Sequence, residues 1–186
     1  IPLKDASGKP LTAPEFKKNY KQKIRKYLGN FQPARGLYYE GAEHTPENIA
    51  LFKKILSNTE ARQQISLRNE EYFSILADAF KDKAFFAFER CNVNTYIENL
   101  EKRYEKEPDM RDKITEQLAD AKKVLNERGE IVPLAALLTV YPPNKTGVRI
   151  AEYLYAGSDL NVFSSFCATL CGLCEQCILT TEVCCD

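Results

Sequence analysis

Histidine is almost missing from this chain of 186 residues: the only one is His44. With no second imidazole, histidine-built metal sites and Ser–His or Cys–His catalysis become hard to assemble. His44 stands directly before Thr45-Pro46 and reads as an exposed loop residue. There is no glycine-rich phosphate loop and no G-x-S-x-G turn. Tryptophan is absent, so the ten Phe and ten Tyr must build the aromatic part of any core. Long apolar runs are absent too. The longest, Ile131 to Tyr141, is interrupted by Pro133 and ends at Pro142-Pro143, far short of the roughly 20 residues that span a bilayer. A soluble chain with no transmembrane segment is expected. Carboxylates are plentiful but alternate with Lys and Arg at i,i+4, as Glu98 does with Lys102, the pattern of a solvated helix face. These absences together argue against an enzyme.

Net charge is also lacking, but only in total. Residues 1–40 hold nine Lys/Arg against three Asp/Glu, whereas residues 129–186 hold two against six. The basic charge concentrates in Lys17, Lys18, Lys21, Lys23, Arg25 and Lys26. Such a cluster is either a solvated helix face or a docking surface for an acidic protein partner, anionic lipid or nucleic acid. The neutral total and the want of a second basic stripe argue against nucleic acid. The only Met is Met110, so Ile1 is read as a processed N-terminus, which favours a secreted or lumenal protein.

What is present is mostly helical periodicity. Residues 1–11 read as an extended arm, and residues 12–157 as a helical domain. Thr12-Ala13-Pro14-Glu15 has the form of a capping box, and a helix follows with Phe16, Tyr20, Ile24 and Leu28 on one face. Residues 30–44 read as a loop carrying Tyr38-Tyr39. Thr45-Pro46 restarts helix with Thr as N-cap and Pro at the first helical position. Ser57-Asn58-Thr59 reads as a break. A long central helix is predicted through Tyr72, Phe73, Leu76 and Phe80 toward Phe88, and Asn94 as the cap of the next. Pro108-Asp109 opens another, which Gly129 ends. Periodicity leaves 131–155 open between helix and strand. The fold class expected is mainly α: an antiparallel helical bundle or compact helical array with a cysteine-rich C-terminal segment at residues 158–186.

That tail is the one unusual composition. Cys167, Cys171, Cys174, Cys177, Cys184 and Cys185 join Cys91 as the seven cysteines. In one reading they form disulfides among themselves or with Cys91, which an oxidising compartment permits. Cysteines one helical turn apart make poor partners, so bonds would join the stripe to Cys184, Cys185 or Cys91. In a second reading the thiolates bind zinc, copper or an iron–sulfur cluster. The spacing of Cys167, Cys171 and Cys174 coincides with that of radical-SAM enzymes, but those carry it near the start of a barrel-sized domain, so that match is rejected. In a third, Ser164, Ser165, Thr169, Thr180 and Thr181 make the segment the modified core of a precursor peptide. In the last, the cysteines simply pack as small apolar residues. Asn144-Lys145-Thr146 fits the N-glycosylation pattern in a turn.

The sequence therefore predicts a non-enzymatic binding or structural protein, an extrinsic subunit of a larger assembly, with a disulfide-stapled tail and no cofactor. The alternatives are a thiolate metal or iron–sulfur protein and a peptide precursor.

Overall fold

The computed structural model describes residues 34–142 and 152–159, with Ser7 and Val162. In chain order the described elements are β1 (Leu37–Ala42), α1 (Pro46–Gln63), α2 (Glu70–Phe80), β2 (Ala84–Asn92), α3 (Val93–Lys106), α4 (Arg111–Arg128), β3 (Ile131–Val140) and β4 (Glu152–Ser158). Short 3-10 turns, Lys81–Lys83 and Pro108–Met110, precede β2 and α4. The four strands form one antiparallel sheet in the order β1-β2-β3-β4. Neighbouring antiparallel strands usually need only a tight hairpin. Here α1 and α2 are inserted between β1 and β2, and α3 and α4 between β2 and β3.

The expected helical bundle is corrected by this sheet. The helix predicted to run from Tyr72 to Phe88 stops at Phe80, where Lys81 takes a positive φ of 50°. Beyond it, Phe86 and Phe88 share a face at the two-residue period of a strand. Residues of β2 are buried on both faces. A strand buried on both sides loses its polar alternation, so residues 84–88 give no period-two signal to set against the helix predicted toward Phe88. The loop expected at Tyr38-Tyr39 is β1. Residues 131–140 and 152–158 are strands, which settles the ambiguity at 131–155 for the part described.

The helices themselves start where short polar residues permit. Thr45 caps α1, its hydroxyl accepting from Asn48 N at 3.3 Å. No break occurs at 57–59, because Thr59 is buried and Ser57 turns its hydroxyl back onto the Lys53 carbonyl, 2.9 Å away. Asn92, not Asn94, caps α3 by accepting from Thr95 N at 2.9 Å. Gly129 ends α4 with φ 86°, a conformation that favours glycine.

Two cores result. Ile49, Phe52, Ile55, Leu56, Phe73 and Ala77 from α1 and α2 pack on Phe86, Phe88, Ala136 and Leu138 of the sheet. Leu37, Cys91, Val132 and Leu134 pack with Val93, Tyr96, Leu100, Ile114, Ala121 and Val124 of α3 and α4, and Val162 joins them. A bulge divides the two. Arg90 pairs with Pro133 and Glu89 with Ala135, so Leu134 is the extra residue. Pro133, which has no N–H to give a ladder, is accommodated at this irregularity. Cys91 lies three residues beyond Phe88 and so falls on the opposite face of β2.

The basic cluster at Lys17 to Lys26, the capping box at Thr12, Asn144 and the six tail cysteines lie outside the described residues.

Candidate functional site

The connection from α1 to α2 carries the most concentrated polar chemistry. Helix α1 ends on Gln64, whose left-handed backbone (φ 55°) lets its N–H close back on the Glu60 carbonyl. The Glu60 carboxylate accepts from Lys53 Nζ and from Leu67 N, each at 2.6 Å. Asn69 then caps α2, accepting from Tyr72 N at 3.0 Å. Between these two fixed points sits Arg68, whose guanidinium lies over the Tyr72 ring, 5.2 Å from its centroid. A cation at that distance is drawn to the ring face.

Tyr72 in turn meets β4. Its ring stands edge-on to Tyr155 at 6.1 Å, and Phe73 stands edge-on to the same ring at 5.2 Å. The Tyr72 phenol is pushed above its ordinary range, first by the hydrogen bond to Tyr155, then by burial, with Arg68 opposing. It therefore stays protonated at neutral pH. Tyr153, two residues earlier on β4, is 52 % exposed. An exposed guanidinium beside phenol hydroxyls and aromatic faces suits a ligand that carries negative charge.

A second feature is an open cleft of about 660 Å³ where β1 ends and β2 begins, lined by Glu43, His44, Thr45, Lys81, Asp82 and Phe85 among others. His44, expected to be an exposed loop residue, is half-buried in this wall. Among the described residues no group of three His, Cys, Asp or Glu side chains is placed to hold a metal ion.

Cys91 is unsuited to reaction. It is fully buried, and its thiol donates to the Arg35 carbonyl at 3.4 Å. Burial, followed by the charge of Glu89, pushes the thiol up to about 12. A nucleophilic or metal-binding cysteine needs the reverse shift. Cys91 is also a free thiol, and no disulfide occurs among the described residues; the tail cysteines expected to pair lie outside them. The site at Arg68 escaped sequence reasoning. Asn69 followed by Glu70 and Glu71 signals a helix start, but nothing local marks Tyr155 as its neighbour.

Residues 41–120 match the FemAB family. That stretch contains α1, α2, β2 and α3, including Arg68 and Tyr72, and covers less than half of the chain. The crystal structure of FemX superimposes with a TM-score of 0.59 at 18 % identity, over 93 % of this chain and 48 % of the FemX chain. The fold is FemX-like. This chain thus spans about half the length of FemX. No curated protein matches the sequence.

The FemX likeness confirms the mixed α/β architecture against the helical bundle. The match of residues 41–120 to the FemAB family also corrects the expected non-enzymatic binding or structural role and the argument against an enzyme. The scarcity of histidine had excluded only chemistry that depends on histidine. No helix among the described residues is long and apolar enough to cross a membrane.

Proposed function

We propose that the chain belongs to an aminoacyl transferase that modifies a peptidoglycan precursor, and that Arg68, Tyr72 and Tyr155 help hold that precursor. The observation that carries this reading is a coincidence of place. The FemAB-matching stretch delivers Arg68 and Tyr72, and β4 completes the cluster with Tyr155. In aminoacyl transfer an acceptor amine attacks the ester carbonyl of the donor. The new amide C–N bond forms, the ester C–O bond breaks, and the proton lost by the amine ends on the departing alcohol. The fixed cation and phenols contribute before that step, by orienting an anionic acceptor for attack. A guanidinium already seated on an aromatic ring loses little freedom on binding, which favours affinity.

Calorimetric titration with the nucleotide-linked muramyl pentapeptide tests the binding half of this proposal. Binding is expected, and Arg68→Ala should weaken it roughly tenfold or more, the usual scale for losing a charge-assisted contact. No binding by the unmodified chain would overturn the reading. Transfer of radiolabel from an aminoacyl ester to the same precursor tests the reaction itself. A separate part of the proposal gives the basic cluster Lys17, Lys18, Lys21, Lys23, Arg25 and Lys26 an acidic partner. Reversal of Lys17, Lys18, Lys21 and Lys23 to Glu should weaken that association without unfolding the chain.

A further inference from the structure

Arg68 has a helix-free tether on its N-terminal side, and one carboxylate governs it. Lys53, Ser57 and Glu60 follow one another at steps of four and three, so they share a face of α1. At the last of these positions Glu60 is 14 % exposed and salt-bridged to Lys53, itself 19 % exposed. The second Glu60 oxygen accepts the Leu67 N–H at 2.6 Å. Leu67 also packs its side chain against the aromatic core of α1 and α2. The residue immediately before Arg68 is therefore fixed twice, through its backbone and through its side chain. The Glu60 carboxyl is held below the usual carboxylate range, chiefly by Lys53 and secondarily by the Leu67 N–H, against the effect of burial.

We infer that Glu60 is a positioning residue for the precursor site: its carboxylate, oriented by Lys53, latches the Leu67 backbone and so holds Arg68 over Tyr72. This rests on the reading of Arg68 as a precursor-binding group. Glu60 acts through Arg68 and touches no substrate. Without the latch the 64–69 connection keeps its Asn69 cap and the Gln64 turn, but Arg68 must be ordered by the ligand at the moment of binding. That ordering appears as lost affinity.

The test is calorimetric titration of the full chain with the nucleotide-linked muramyl pentapeptide. Glu60→Ala should weaken binding roughly tenfold. Glu60→Gln, whose amide oxygen still accepts from Leu67 N–H, should stay within about threefold of the unmodified protein. In the Arg68→Ala background Glu60→Ala should add no further loss, because the two act as one unit. The Leu67 amide resonance should shift in Glu60→Ala and return in Glu60→Gln. If Arg68→Ala weakens binding while Glu60→Ala does not, the latch is wrong and the site stands. If Arg68→Ala has no effect, the site reading fails and the latch loses its function. Should Glu60→Ala fail to fold, Lys53→Met serves instead, with an expected loss of about threefold and an unchanged affinity overturning the inference.

Discussion

The α1–α2 pair and the α3–α4 pair hold equivalent positions in the chain, each bridging two antiparallel neighbours of one sheet, yet they are packed on different terms. The first is sealed by aromatic rings: Phe52 stands edge-on to Phe73 at 5.1 Å and to Phe86 at 5.2 Å. Its backbone also lies directly on β4, where a Cβ added at Gly157 would come within 2.8 Å of Leu56 Cα. The second pair is built from aliphatic and small residues with Tyr96, and its helices pack chiefly on each other. Its turn, Pro108–Met110, is exposed, and its far end is tied down by Arg128, which pairs with Asp159 just after β4 at 2.7 Å. The same topological device thus serves once as a rigid floor under the Arg68 site and once as a charged helical hairpin. Close-packed aromatic contact fixes position more tightly than a hairpin held mainly by its own partner.

The largest expected effect tests that contrast directly. Phe52→Ala should destabilise the protein by about 4 kcal/mol, because a fully buried ring leaves a cavity between two helices and the sheet. Leu100→Ala, fully buried in the other core, should fall nearer about 2 kcal/mol, since α3 and α4 can close on the gap. Denaturant midpoints with unchanged slopes measure both. Equal losses would remove the distinction between floor and hairpin.

The next effect addresses the floor alone. Gly157→Ala should cost about 1–3 kcal/mol, the range for forcing atoms into a packed contact, because the atoms it meets are backbone of Leu56 and Ile55 rather than flexible side-chain ends. A neutral outcome would show that α1 can slide on β4. It would also weaken the case that Tyr155 is held rigidly against Tyr72.

How much of this could be read from residues follows from which signals are local. Thr45-Pro46 and Gly129 mark helix ends because caps act within one turn, and both stand where the sequence placed them. The strands were lost because β2 is buried on both faces and β1 is short with aromatic residues beside a glycine, patterns that resemble a helical stripe and a loop. The candidate site joins Arg68 and Tyr72 to Tyr155 across two strands and a helical hairpin. Only topology brings these together. The cysteine tail stood out by composition, but composition names no partner, and Cys91, the one described cysteine, proved to be a core residue.

A smaller effect sharpens the comparison through pH. The Glu60 carboxyl is held below the ordinary glutamate value in the folded state, first by Lys53. Its contribution to stability is therefore fully present above that value and is lost as pH falls through the lowered folded pKa. Local opening of the 64–69 connection, read from amide exchange corrected for its intrinsic pH dependence, should be flat above the ordinary glutamate value and should rise below it ahead of global unfolding. Glu60→Gln should abolish that early rise. If the rise persists in the variant, another carboxylate governs the connection.

The smallest effect belongs to the hairpin. Arg103 holds Glu107 through two hydrogen bonds, at 2.9 and 2.8 Å, and the pair sits where α3 gives way to the exposed turn. Both side chains are about two-fifths exposed, so water and salt screen most of their attraction. Glu107→Gln should leave the global denaturation midpoint unchanged, while exchange of amides around 103–110 quickens at low salt and converges with the unmodified protein at high salt. The opposite result, a lowered global midpoint, would mean that the hairpin tip is coupled to the core as firmly as the 64–69 connection is. The hairpin would then have to be counted as part of the platform that positions Arg68.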